Sequence, residues 1–561
     1  MNLRDLKETV RAAAGEKPTL VLKNARVVNV FTNEIVNADV ALNRDMIIGI
    51  GRYSALNEVD LKGRYLCPGF VDAHVHIESS MATPDVFAQA VLPHGTTLVI
   101  ADPHEIANVC GQKGIRFMLS ASEKSLLNVF FMLPSCVPAT RFEHNGYTLD
   151  AADFKPFMQN ERILGLGEVM DCPSVIGGNA SMFKKLELFQ NRPIDGHAPL
   201  LTGSALAAYC AGGPMTDHES TSFEEILEKM RLGLKILLRV GSAANDMQDI
   251  FREIAQSGLP TENMMFCTDD KHVEDIGRTG HINSIAKMAV AAGIDPVSAV
   301  KMATINPCRT YGIRRRGAVA PGYFADLAVF EDLKDFRVVK VYAAGQDISE
   351  APPAAPVKIP EDIKNSVHTA ALPEHPFTLK TKDPMPVIEM PPGQLLTKLS
   401  FETVPSEGGC FLPGAGYVKL AVIERHHARG SIGIGVLKNF GLKNGAVAST
   451  VAHDSHNLIV AGADDGDMLL AVRTLRDCGG GYAVVNGGKV LALLELPIAG
   501  LMTDAPMHET LRKQKELLSA AYCLGMTSDP FIRLSFLALP AIPEVRVTDM
   551  GVLDVVQGKF I

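Results

Sequence analysis

Short apolar runs recur along the chain, broken by polar, glycine- or proline-bearing stretches, and the character of the breaks divides it into regions. Between Thr19 and Leu66 the runs are Leu20 to Leu22, Ala25 to Val30, Ala38 to Leu42 and Met46 to Ile50, with Asn, Asp and Gly between them; this predicts short strands joined by turns. From Pro68 to about Thr310 the pattern changes, and strand-like runs alternate with helical stretches. Eight such runs occur in order: Gly69 to Ala73, Thr96 to Ala101, Asn128 to Leu133, Ile163 to Gly167, Pro193 to Gly196, Pro214 to Asp217, Leu234 to Val240 and Met264 to Thr268. Each is followed by room for a helix, which predicts an α/β fold with parallel strands in a (β/α)8 TIM-like barrel. Strand-like sequence returns at Asp326 to Phe330 and Val338 to Ala343. Prolines are dense from Ala351 to Pro392, as in an extended connector. Beyond Leu395 the chain is rich in Gly and β-branched residues, and Val484 to Val490 reads as a hairpin around an Asn486-Gly487 turn.

Composition narrows the classes. A chain of 561 residues exceeds one ordinary core, and 47% hydrophobic with 21% charged residues is a soluble globular balance. A net charge of -9 argues against a nucleic-acid partner. Met1 to Lys17 is charged and holds no apolar signal core. No apolar run approaches the roughly 18 residues of a membrane span; Leu534 to Ile542 is short and broken by Pro540. The 10 cysteines form no Cys-x-x-Cys pair, which predicts reduced thiols and a cytoplasmic location.

The candidate chemistry sits at the ends of the predicted strands. Pro68-Gly69-Phe70-Val71-Asp72-Ala73-His74-Val75-His76 closes the first strand on two histidines at i and i+2, which an extended chain points to one side. The fourth strand ends at Glu168, the fifth at His197, the sixth at His218 and the eighth at Asp269. These ligands share one end of the barrel and outnumber the needs of a single ion, so they predict a binuclear divalent metal site bridged by a carboxylate. After the second strand come Asp102-Pro103-His104-Glu105. Asp102 and His104 read either as groups supporting the metals or binding substrate, or as an N-cap and first helical turn; Glu105 is a weaker candidate. Ser135-Cys136 reads as ordinary loop. His272-Val273-Glu274 and Pro307-Cys308 suggest the zinc-deaminase signature, but residue 311 is Tyr where the second cysteine belongs, and that reading fails.

These motifs resemble the amidohydrolase superfamily of metal-dependent barrels: residues 68–76 its first strand, and Thr304-Ile305-Asn306-Pro307 with Gly317 to Leu327 its return to an N-terminal β-sandwich. Within it, Gly165 to Met170, Cys267-Thr268-Asp269-Asp270, Ile423 to His427 and Val451 to Asn457 resemble the bacterial adenine deaminases. The resemblance implies residues 1–66 as the first part of the sandwich, 67–310 as the barrel and 311–350 as the return completing the sandwich. Residues 351–394 then form the connector and 395–561 an additional α+β domain of adenine-deaminase type. It implies hydrolysis of adenine to hypoxanthine and ammonia, in purine salvage or catabolism, by metal-activated water. His74 and His76 would hold one ion, His197 and His218 the other, and Glu168 both; Asp269 would be a ligand and proton carrier. Manganese is the implied metal, with iron and zinc as alternatives; the appended domain and the Pro-rich connector predict a homo-oligomer. His453-Asp454-Ser455-His456-Asn457 would close over substrate, hold a further ion, or form a structural turn. Two readings compete: a cyclic amide hydrolase acting on a hydantoin- or dihydropyrimidine-like ring, opposed by Glu168 where such enzymes carry a modified lysine, and a non-catalytic scaffold, opposed by the intact ligand set.

Overall fold

The structure, a computed structural model, describes residues 3–15, 18–242, 247–351, 357–391 and 396–561. Met1, Lys17, Pro392 and Leu395 lie outside these residues, as does part of the proline-dense stretch. Among the described residues no helix is long and apolar enough to cross a membrane.

Strands from both flanks of the central region share one sheet. Leu20–Asn29, Glu34–Asn43 and Met46–Gly51 form an antiparallel meander, and Tyr65–Pro68 joins it beside Leu327–Phe330 and Val338–Ala343. Leu22, Val27, Val40, Leu42, Leu66, Leu327 and Val329 pack together there. The runs at 20–22 and 25–30 are one strand, because a register shift at Leu22/Ala25, with Asn24 at φ 55°, absorbs the polar break.

Among the described residues the central region holds eight strands in two parallel sheets. Phe70–Val75, Thr96–Ala101, Asn128–Leu133, Ile163–Val169 and Ile194–Gly196 form one, in that order. Thr216–Asp217, Lys235–Arg239 and Met264–Cys267 form the other. Backbone bonds connect the sheets at both edges. The Met215 N–H donates to Ile194 O (2.9 Å), the Asp269 N–H to His74 O (2.9 Å) and the His76 N–H to Asp269 O (3.1 Å). Val71, Ala73, Leu98, Ile100, Met132, Leu237, Met265 and Cys267 meet in one cluster drawn from strands of both sheets. Two strands run past their expected ends, the first through Val75 and the fourth through Val169, so His74 and Glu168 lie inside strands. Their neighbours Val75 and Val169 pair with Ala101 and Gly196, which extends the ladders past the apolar runs. A register shift between Asp72 and Val75 puts Val75 in a different apolar cluster from Val71 and Ala73.

The C-terminal region is built on an eight-stranded sheet whose central strands are Ile432–Lys438, Tyr417–Ile423, Leu458–Gly462 and Ala446–Ser449, with the helix Asp465–Cys478 packed against it. The proline-dense stretch is not wholly a connector. Its Met385–Glu389 is a strand of this sheet, paired on both sides, because Val387 and Ile388 are buried. The hairpin turn also differs: Asn486 pairs with Lys489, and the two loop residues are Gly487 (φ 58°) and Gly488 (φ 73°). Both central positions of such a turn need positive φ, which glycine supplies without strain. The Asp467 carboxylate accepts from both of their N–H groups (2.9 and 2.7 Å).

Candidate metal centre

Every residue expected at the strand ends converges on one buried point, and Glu168 is its hub. Its Oε1 lies 3.1 Å from His76 Nε2, 3.3 Å from His104 Nδ1 and 3.7 Å from His74 Nε2. Its Oε2 lies 2.7 Å from His197 Nδ1 and 3.3 Å from His218 Nε2. The two oxygens of one carboxylate therefore face two separate sets of histidines. Asp269 Oδ1 completes the first set, 2.9 Å from His76 Nε2 and 3.5 Å from His74 Nε2. Burial alone would push the Glu168 carboxyl upward, but contacts from His104, His197, His218 and His76 hold it well below the usual carboxylate range. Burial likewise opposes ionisation of Asp269; Arg239, then His74 and His76, outweigh it and keep that carboxyl low as well.

The donor set suits divalent cations. Both ring nitrogens of His74, with His218 Nε2 and His104 Nδ1, are buried without a hydrogen-bond partner. Orphaned imidazole nitrogens facing carboxylates are costly in a protein interior unless something else takes their lone pairs. The His76 ring places Nδ1 2.9 Å from the Asp102 carbonyl. That carbonyl can only accept, so Nδ1 carries a proton and Nε2, facing Glu168 and Asp269, is the nitrogen left for an ion to take, the arrangement usual for a metal-bound histidine.

The supporting residues follow from local geometry. Asp102 is not a helix cap: Pro103 takes that position, and Asp102 Oδ2 accepts from the Glu168 N–H (3.0 Å). A Cβ on Gly167 would collide with that carboxylate, so only glycine fits beside it. Ser135, read from sequence as ordinary loop, donates its hydroxyl to Glu168 O (2.5 Å). Asp217 fixes the backbone beside His197 and His218, accepting from the Ala198 N–H (2.9 Å) and the Glu219 N–H (3.2 Å). Beneath it the buried Lys229 Nζ donates to Asp217 Oδ2 (2.7 Å), Glu225 Oε1 (2.7 Å) and Ser220 Oγ (3.1 Å). Lys229→Met would strand two buried carboxylates without their cation. It is expected to cost about 3–5 kcal/mol of stability, read by urea denaturation against the parent chain.

Sequence reasoning missed two members of the site. Arg239, the last residue of its strand, places Nη1 2.6 Å from Asp269 Oδ2 and also bonds Glu219 Oε1. Glu219 in turn lies 3.6 Å from His218 Nε2 and 4.0 Å from His197 Nδ1. Their signal was positional: one ends the seventh strand and the other directly follows His218. Asp269 itself sits at φ 60°, an unusual conformation for a non-glycine residue, of the kind that collects at functional sites.

The C-terminal region reaches the same mouth, residue against residue. Asp454 Oδ1 is 3.8 Å from His104 Nε2, and His453 Nδ1 is 3.2 Å from Glu105 Oε1. Glu105, His453 and His456 offer atoms within 4.8 Å of one another. His456 makes that group a poor cation site, because its Nδ1 accepts the Ala452 N–H (3.1 Å) and the ring proton then occupies Nε2. Asn457 Nδ2 donates to His144 O (2.7 Å) and ties the same turn to the central region.

Comparison with known proteins agrees with this arrangement. Residues 65–348 match the Amidohydrolase family and residues 394–559 the Adenine deaminase C-terminal domain. An adenine deaminase of Desulfitobacterium hafniense (strain Y51) is 44% identical and aligns over 100% of this chain and 99% of its own. That of Nitratidesulfovibrio vulgaris (strain DP4) is 46% identical over 99% and 98%. That of Geobacillus kaustophilus (strain HTA426) is 43% identical over 98% and 97%. Identity at this level along the whole length covers the parallel strands and the C-terminal region together, and the chain belongs to the amidohydrolase family and, within it, to the adenine deaminases.

Proposed function

We propose that this chain hydrolyses adenine to hypoxanthine and ammonia at a pair of divalent metal ions, with manganese as the working metal. The observation that carries the reading is the division of labour at Glu168, whose two oxygens face His74 and His76 on one side and His197 and His218 on the other. His74, His76 and Asp269 would hold one ion, His197 and His218 the second, and Glu168 both. Ions bound there would lower the pKa of a water so that it attacks at neutral pH.

The chain's own residues would do the rest. Asp269, kept ionised by Arg239, takes the proton from the attacking water and hands it to the ring nitrogen or the departing amine. Asp102 holds the Glu168 backbone and its carbonyl sets the His76 tautomer. His104, between Glu168 and Asp454, links the centre to the C-terminal region and helps keep bulk water out. The bonds between the two parallel sheets support their closure into a (β/α)8 barrel, with the sheet that includes Tyr65–Pro68 and Leu327–Phe330 beside it and the C-terminal sheet, from Met385–Glu389 onward, as a further domain. We assign the enzyme to the cytoplasm, in purine salvage or catabolism, as a homo-oligomer.

The experiment is ammonia release by chelator-treated protein, with and without added Mn, offered adenine, adenosine or dihydrouracil. Metal-dependent release from adenine is the expected result. Hydrolysis of dihydrouracil without release from adenine would overturn the deaminase reading while keeping the metal site.

A further inference from the structure

The turn at His453 presents an imidazole that the chemistry above does not use. It is held rigidly. The His453 N–H donates to Ser535 Oγ (3.2 Å), the His456 N–H to Ala452 O (2.7 Å), and His426 Nε2 lies 2.8 Å from Ser455 O. Glu105 takes one side of the ring through Nδ1. The other nitrogen, Nε2, is 3.9 Å from Asp270 Oδ2, too far for a direct hydrogen bond. Asp270 is itself fixed, its Oδ1 accepting the Ser79 hydroxyl (2.5 Å).

These groups border a recess between the barrel mouth and the C-terminal domain. Ser79, Asp270 and His453 form its polar side, and Tyr482, Phe531 and Phe536 its aromatic side. The His453 and Phe536 rings are 5.2 Å apart, and those of Tyr482 and Phe531 4.9 Å. The recess is about 30 Å³, room for the edge of a ring and not for a bicyclic heterocycle.

Resting on the deaminase reading above, we propose that the C-terminal domain reads the substrate here, with His453 donating to, and Asp270 accepting from, neighbouring nitrogens on one edge of the purine. The orientation follows from the chemistry. C6 and its amino group must lie at Glu168 and Asp269, so the opposite edge, N3 and N9–H, points away from the metals. Asp270 follows Asp269 directly, and the recess it borders would take that edge. N3 is an acceptor and N9–H a donor, and they flank one ring carbon. Two parallel bonds to such neighbours suit a donor and an acceptor standing side by side with a gap too wide to close on each other. The charge state of His453 suits a donor. Burial works against protonation of His453, but Asp270 and then Glu105 outweigh it and raise the ring to about 9, so both nitrogens carry protons at neutral pH. Glu105 is then a positioning residue, aiming Nε2 into the recess.

The test compares adenine with 3-deazaadenine, in which a C–H replaces N3, on the Mn-loaded full-length chain. Wild type is expected to lose about 10- to 100-fold in kcat/KM on the analogue, the cost of leaving a charged donor unpaired. His453→Phe should process both poorly and lose most of that discrimination, with metal content unchanged. Asp270→Asn should raise the adenine KM about tenfold. If His453→Phe does not fold, His453→Leu, which also removes the donor, and Glu105→Gln carry the same comparison. Equal use of both substrates by wild type, or undiminished discrimination in the folded His453 variants, would overturn the inference while leaving the deaminase reading intact. No ammonia from adenine at all would remove that reading and this one together.

Discussion

Glu168→Gln is expected to empty the centre of metal and to cut ammonia release by about 10³-fold or more, a loss typical of one member of an interdependent set. The substitution keeps size and shape and removes one negative charge. That charge is shared by both sets of histidines: Oε1 faces His74, His76 and His104, and Oε2 faces His197 and His218. An amide offers one oxygen where the carboxylate offers two, so one set keeps an acceptor and the other meets an N–H₂ group. Two nearby cations would also lose the anion that screens them from each other. The backbone bracing by Asp102 and Ser135 does not involve the changed atoms, so the fold should hold. Metal analysis after gel filtration, beside the ammonia assay, checks both halves. Full loading with full turnover would disprove the bridge.

Much of this centre was legible in the sequence because strand ends obey a simple rule. Side chains alternate along a strand, and parallel strands share a direction, so polar residues after successive apolar runs are delivered to one end. His74, His76, Glu168, His197, His218 and Asp269 follow from that rule alone, and all of them meet. What the rule does not reach is anything set by register or by distant packing. Apolar runs say where a strand is buried, not where its ladder stops; hence His74 and Glu168 lie within strands and not beyond them. Arg239 ends its strand on the same face as Lys235 and Leu237, and its partners Asp269 and Glu219, both on other segments, are what hold the half-buried guanidinium there. The strand at Met385–Glu389 was hidden by its prolines, which usually mark a connector, while Val387 and Ile388 supply the burial that overrides them. The docking of Asp454 on His104 and of His453 on Glu105 joins the two ends of the chain and leaves no local trace in either.

Asp269→Asn is expected to behave in the opposite way from Glu168→Gln, retaining most of the metal and losing about 10²- to 10⁴-fold in kcat, the range associated with removing a general acid or base. The backbone of residue 269 carries structure: its N–H donates to His74 O, its carbonyl accepts from the His76 N–H, and its φ is 60°. Asparagine tolerates that left-handed conformation better than most residues, so the joint between the two sheets should survive. The side chain keeps an oxygen for the ion beside His74 and His76, and Glu168 still spans both sets. What disappears is the capacity to accept a proton, and with it the charge that pairs with Arg239. Glu219, which also bonds Arg239, remains to hold the guanidinium in place. The pair of variants thus separates holding the metals from moving the proton, provided metal content is measured on the same samples as turnover. An Asp269→Asn protein that loses metal as completely as Glu168→Gln would make Asp269 chiefly a ligand. One that keeps both metal and rate would put the proton carrier elsewhere in the centre, with Glu219 the nearest remaining carboxylate to His197 and His218 after Glu168.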